Sequence, residues 1–311
     1  MSDLRVEFAV RSQRKKVRLR AVDGVSLTVA PGEILGVVGE SGCGKSTLAR
    51  TIAGLTAPTA GSINLEGASM SGKRSIDDTR AIQMIFQDPG ASLNPRITVG
   101  SVLTEVLMTH QLVERSTARA RVDELLHLVG LPERAYDALP RQLSGGQRQR
   151  VGIARALAVE PRLLVADEAI AALDVSVQAA ILNLFARLRS RLGLSMIFIS
   201  HDLGAVRSLC DRVAVMYLGQ IVEIAPVEEL YQNPGHPYTR ALIAANPSLD
   251  NTAAIAPPLK GEPPSPINVP TGCRFHPRCP LATETCRTGV PPVRERPDHK
   301  TSCHRAWEPA P

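Results

Sequence analysis

The chain has 311 residues, more than one compact core usually uses, which predicts one large domain with an appendage or two domains. Its 44% hydrophobic and 21% charged residues exclude a disordered or collagen-like chain, and no apolar run reaches the roughly 18–20 residues of a membrane span. A formal charge of +6 suits phosphate ligands or an anionic surface without specifying either, and 3% aromatic residues argue against the base-stacking platforms of single-strand nucleic-acid binders.

The first residues, MSDLRVEFAV, lack the layout of a signal peptide, so the expected location is cytosolic, against a membrane only through a partner. The basic run RSQRKKVRLR at 11–20 reads as a solvated loop or hairpin and receives no function. Apolar strand-like runs follow at Glu33 to Val38, Ile82 to Phe86, Leu163 to Ala166, Met196 to Ser200 and Val213 to Met216. Helical stretches alternate with several of them, which predicts an α/β domain with a largely parallel sheet. From Pro95 to Arg141 the pattern is helix without strand and predicts an inserted helical subdomain, about 88–158. Val177, Ile181, Leu184, Phe185, Leu188 and Leu192 line one face of a helix that Gly193 ends. Between Pro257 and Pro311 stand 13 of the 24 prolines. Such a segment is expected to lack regular helices and central strands and to be disordered or held by something other than a core.

Gly39-Glu40-Ser41-Gly42-Cys43-Gly44-Lys45-Ser46-Thr47 fits G-x-x-x-x-G-K-[ST] between a predicted strand and a predicted helix. The glycines let successive backbone N–H groups face a phosphate, and the helix adds its positive N-terminus. Lys45 would reach the β- and γ-phosphates and Ser46 would ligate Mg²⁺. The strand Leu163 to Ala166 ends in Asp167 and Glu168, a carboxylate pair at the ligand-binding edge of a parallel sheet. Asp167 is expected to hold Mg²⁺ and Glu168 to polarise the water that attacks the γ-phosphate.

Leu143-Ser144-Gly145-Gly146-Gln147, just before a helical segment, resembles the signature of the ATP-binding subunits of ABC transporters. The resemblance implies a P-loop core with an N-terminal antiparallel β subdomain. It also implies a head-to-tail dimer with ATP between Lys45 of one subunit and Ser144 of the other. Within it Gln87 is similar to the glutamine that contacts Mg²⁺ and the attacking water, and His201 to the switch histidine at the γ-phosphate. Phe8 is the candidate for stacking on adenine, although it could equally pack within the N-terminal sheet. Ala171-Ala172-Leu173-Asp174 occupies the dimer loop, usually Ser-Ala-Leu-Asp in relatives, and Ala169 stands where proline is common. The missing hydroxyl at Ala171 implies a slower or less coupled ATPase.

Val175-Ser176-Val177-Gln178 and Asn233-Pro234-Gly235-His236-Pro237-Tyr238-Thr239-Arg240 narrow the resemblance to ATPase subunits of oligopeptide and dipeptide importers, a group that includes nickel importers. The implied organisation is an ATPase domain over 1–230 and an extension over 231–311. The implied partners are a second ATPase subunit, two membrane permeases and an extracytoplasmic solute-binding protein, with no nucleic acid, at the cytoplasmic face of the membrane. Cys273, Cys279, Cys286 and Cys303 are spaced too widely for zinc knuckles, yet four thiolates could staple a tail poor in apolar surface. The resemblance implies a [4Fe–4S] cluster on these four; zinc and free thiols remain the alternatives. The rival reading is a soluble ATPase of the same type with a metal cluster, acting on nucleic acid.

Overall fold

The computed structural model describes residues 1–12, 15–70, 74–88, 93–245 and 261–308. Parts of the basic run (13–14), of the helical insertion (89–92) and of the proline-rich tail (257–260 and 309–311) lie outside them.

β1 (Ser2–Ser12) and β2 (Lys15–Val25) form a long antiparallel hairpin. The wholly buried β3 (Ile34–Val38) leads through the glycine-rich loop into α1 (Lys45–Ile52). β4 (Ala60–Ser62) pairs with β1 to complete a three-stranded sheet, and β5 (Asn64–Leu65) with β6 (Ala68–Ser69) makes a small ribbon. After α2 (Ile76–Ala81) and β7 (Ile82–Ile85) come α3 (Val99–Thr109), α4 (Ala118–Leu128) and α5 (Gly145–Leu157), with no strand among the described residues before β8 (Leu163–Asp167). The chain continues through α6 (Val175–Leu192), β9 (Ser195–Ile199), α7 (Leu203–Leu209), β10 (Arg212–Tyr217), β11 (Gln220–Pro226) and α8 (Val227–Gln232). The C-terminal lobe holds α9 (Pro237–Ala244), α10 (Glu284–Thr288), β12 (Val293–Arg296) and β13 (His299–Ser302).

The main sheet has eight strands in the order β12-β13-β11-β10-β3-β9-β8-β7, parallel from β10 to β7 and antiparallel beyond. β3 and β8 are buried on both faces, which is why they read as continuous apolar runs without alternation. One core packs β1, β2 and α1 on one face of the sheet; the other packs α3 to α7 on the opposite face. The carboxyl ends of β3, β8 and β9 therefore open at one edge, where an α/β sheet takes its ligand.

The expectation that the tail is held by something other than a core is corrected. Tyr238, Cys273, Phe275 and Cys286 belong to the larger hydrophobic core itself. Phe275 packs edge-on against Tyr217 at 5.3 Å and lies 5.5 Å from Tyr238. The expectation that the segment lacks regular helices and central strands is corrected as well: α10 forms and β13 lies inside the sheet between β12 and β11, because Pro291, Pro292 and Pro297 flank β12 and β13 and neither strand contains one. Docking is completed by Glu223 on β11, a buried carboxylate that accepts from the N–H of His236 at 3.0 Å and pairs with His299 Nε2 at 2.7 Å. Burial acts to raise its pKa, but hydrogen bonds from His299 and Gly235 outweigh this and hold it below the usual range.

Candidate functional site

The glycine-rich loop folds around the Lys45 ammonium, which donates to the carbonyls of Gly39 at 2.7 Å and Glu40 at 3.0 Å and is only 5% exposed. Gly44 has φ +111, and a Cβ on it would lie 2.1 Å from the carbonyl oxygen of Ala21, so neither its conformation nor its space admits a side chain. Phe8, Ser41, Gly42, Cys43, Gly44, Lys45, Ser46, Thr47, Gln87 and Glu168 all line one cleft of about 370 Å³. Phe8 is 39% exposed. Cys43 is buried beside Lys45, and desolvation pushes its thiol up.

Ser46 Oγ donates to Asp167 Oδ1 at 3.1 Å, joining the start of α1 to the end of β8. Burial raises the Asp167 carboxyl above its ordinary value, partly offset by this hydrogen bond. Glu168 has φ +47, a left-handed conformation uncommon for a residue with a side chain. Its N–H donates to the carbonyl of Ile199 at 3.0 Å, and His201 Nδ1 stands 3.7 Å from its Oε1. The strands β8 and β9 thus set Glu168 and His201 side by side although 33 residues separate them.

The signature residues lie elsewhere. Ser144 caps α5, accepting from the N–H of Gln147 at 3.2 Å while Gln147 Oε1 accepts from the N–H of Ser144 at 2.9 Å. Leu143 is buried beneath it, and Gly146 is required by close packing: a Cβ there would stand 2.4 Å from Val177 Cγ1. Gly145 faces Leu173 of the dimer loop. Gln178 pins that loop by donating to the carbonyls of Ile170 and Leu173, ahead of Asp174, which precedes α6. Ala171 is half-buried, its N–H donating to the carbonyl of Glu168 at 3.0 Å. None of Leu143 to Gln147, nor Ala171, Leu173 and Asp174, is among the residues lining the cleft.

Cys273, Cys279, Cys286 and Cys303 converge on a single enclosed cavity with His236, His276 and His304. Desolvation raises the Cys273 thiol and pushes Cys279 up to about 11 and Cys303 up to about 12. Among the described residues no three of His, Cys, Asp or Glu are grouped so as to hold a metal ion, so a metal staple is not a feature the structure displays.

Sequence reasoning missed several cleft residues: Leu19, Arg20 and Ala21 of β2, Leu218 and Gly219 of the turn after β10, and Pro266 of the C-terminal lobe. Nothing local marks them, since they reach the cleft only through tertiary packing.

The family description "ABC transporter" matches residues 22–171, and "Oligopeptide/dipeptide transporter, C-terminal region" matches 222–286. The chain is 52% identical over 291 residues to a probable peptide ABC transporter ATP-binding protein of Sinorhizobium fredii, covering 92% of this chain and 82% of that one. It is 47% identical to the oligopeptide transport ATP-binding protein OppF of Escherichia coli, covering 97% and 94%. A solved dimer of the ATP-binding cassette MJ0796 bound to ADP and Pi is similar with a TM-score of 0.64 and 27% identity, over 73% of this chain and 97% of that one. The chain belongs to the ATP-binding subunits of ABC transporters. Within them it carries the oligopeptide/dipeptide type of C-terminal region.

Proposed function

We propose that this chain binds and hydrolyses ATP to energise uptake of oligopeptides or dipeptides through separate permease subunits, from the cytoplasmic face of the membrane. One observation carries the reading: Lys45, Ser46, Gln87 and Glu168 converge on one cleft, in a chain whose C-terminal region is of the peptide-transporter type. The ATPase domain is assigned to 1–230, with its helical subdomain at about 88–158, and the extension to 231–311.

Lys45 leaves its two carbonyl partners to meet the β- and γ-phosphates, which the loop amides of Ser41 to Thr47 cradle. Ser46, Asp167 and Gln87 present hard oxygen donors suited to Mg²⁺, and the buried Asp167 carboxylate is hydrogen-bonded by a neutral hydroxyl, leaving its charge for a cation. The ion would neutralise charge on the transferred phosphoryl group. Glu168 accepts the proton of the attacking water, and His201 holds that carboxylate and the γ-phosphate in line. Because the signature of the same chain stands off this cleft, Ser144 serves the ATP of a second cassette, which supports the head-to-tail dimer.

All four cysteines line one enclosed space, which is what supports reading them as a set. Cys273, Cys279, Cys286 and Cys303 would hold a [4Fe–4S] cluster, whose cations stabilise thiolates that burial otherwise disfavours. Anaerobically purified protein is expected to contain four irons and to absorb near 400 nm (roughly); stoichiometric zinc without iron would reject the cluster.

Ala171→Ser is expected to raise ATP turnover roughly two- to tenfold by restoring one hydrogen bond across the dimer. An unchanged rate in steady-state ATPase assays removes that inference. The whole reading is tested by affinity capture from detergent-solubilised membranes, followed by uptake assays. Two hydrophobic subunits and ATP-dependent peptide uptake, lost with Lys45→Ala, are expected. Capture of nucleic acid without membrane subunits would favour the rival ATPase, and uptake of nickel instead of peptide would change the cargo.

A further inference from the structure

Two contacts join the C-terminal lobe to the phosphate loop. Arg278, next to Cys279, forks onto the Glu40 carboxylate with Nη1 to Oε2 at 2.6 Å and Nη2 to Oε1 at 2.9 Å. The N–H of Glu40 donates to Tyr238 Oη at 2.9 Å, while the carbonyl of Glu40 accepts from Lys45. One loop residue is therefore gripped three ways, twice by the lobe and once by the lysine. A parallel brace runs from Arg274, which donates to Asp23 and to the carbonyl of Leu218, into the turn where the N–H of Gly219 donates to the carbonyl of Cys43 at 2.8 Å. Pro266 of the lobe lines the cleft alongside Phe8.

We propose that the C-terminal lobe is a working part of the ATP site, with Arg278 and Tyr238 as positioning residues that hold the phosphate loop in its binding form and neutralise Glu40. Two physical effects act together. A planar guanidinium–carboxylate fork fixes distance and orientation, so the loop is held without help from a ligand. A carboxylate beside the triphosphate pocket also repels the incoming anion, and Arg278 cancels that charge where partial burial weakens screening by water. The inference rests on the cleft being the ATP site and predicts that damage to the lobe weakens nucleotide binding before it affects the hydrolytic step.

The test is displacement of a fluorescent ATP analogue by MgATP from the full-length chain. Arg278→Gln should weaken binding about tenfold, the loss expected of one charge-assisted pair. Adding Glu40→Gln to it should restore affinity to within about threefold, because the unpaired charge is then gone. Arg287→Gln, at an exposed position of the same lobe, should leave binding unchanged. Affinity within twofold of the parent in Arg278→Gln overturns the proposal, and so does a loss that Glu40→Gln does not recover, since that would be general damage to the lobe. If Arg278→Gln does not fold, Tyr238→Phe decides: it keeps the buried ring, and unchanged affinity overturns the proposal while a loss of about threefold supports it. Lys45→Ala separates the two readings. If it too binds normally, the site assignment has failed; if it alone loses binding, only the role of the lobe has.

Discussion

Replacement of Glu168 by Gln is expected to lower ATP turnover by about 10²–10⁴-fold, the usual worth of a general base, while leaving nucleotide binding near the parent value. The amide keeps the size and the place of the carboxylate but cannot accept a proton from water. Binding survives because Lys45, Ser46 and the loop amides are untouched. The separation of effects has a visible consequence: ATP should remain intact between two cassettes, so size-exclusion chromatography with MgATP should show a dimer that the parent chain forms only transiently. The geometry makes Glu168 the choice over Asp167. Asp167 is hydrogen-bonded to Ser46, whereas Glu168 lines the cleft and has His201 3.7 Å away. Its φ of +47 is the kind of uncommon backbone conformation that clusters at active sites. Full turnover in Glu168→Gln would sink the assigned role and move suspicion to His201.

Phe275→Ala should be the most damaging single truncation in the C-terminal lobe, costing about 3–5 kcal/mol. The ring is 1% exposed and sits among Tyr217, Tyr238 and His236, so its removal opens a cavity that aromatic neighbours cannot easily refill. The measurement is limited proteolysis of the lobe, before and after treatment with a metal chelator, alongside the urea midpoint. Rapid cleavage within 261–308 of the untreated variant is expected if packing holds the lobe. Resistance equal to the parent, lost in both proteins after the chelator, would show that the cysteines hold the lobe and the aromatic core does not. The distinction matters for the ATP site, because the segment carrying Phe275 also carries Arg278 and, through it, Glu40.

How much could be read without coordinates varied with the range of the interaction. The phosphate loop, the β8 carboxylates and the α5 cap are each written within a few residues, because a strand, a turn and a helix start are local events governed by glycine φ values, apolar runs and capping side chains. His201 came into view only through the family resemblance, and β9, parallel to β8, sets it beside Glu168. The Arg278–Glu40 fork spans 238 residues and carries no local mark at either end. The proline-rich tail misled for a related reason: composition reports what a segment cannot do alone, and Tyr238 and Phe275 do their packing against Tyr217 on a distant strand.

By itself, then, the order of residues pointed to the chemistry: a glycine-rich phosphate loop, a carboxylate pair at the end of β8 and, through the family resemblance, a second cassette to meet Ser144. Only the tertiary structure decided that the C-terminal lobe is part of the core and grips the phosphate loop. Glycine-rich turns and buried strands are specified by short-range sterics and burial, whereas a salt bridge or an aromatic cluster between distant segments exists only after the sheet has ordered its strands and brought their ends together.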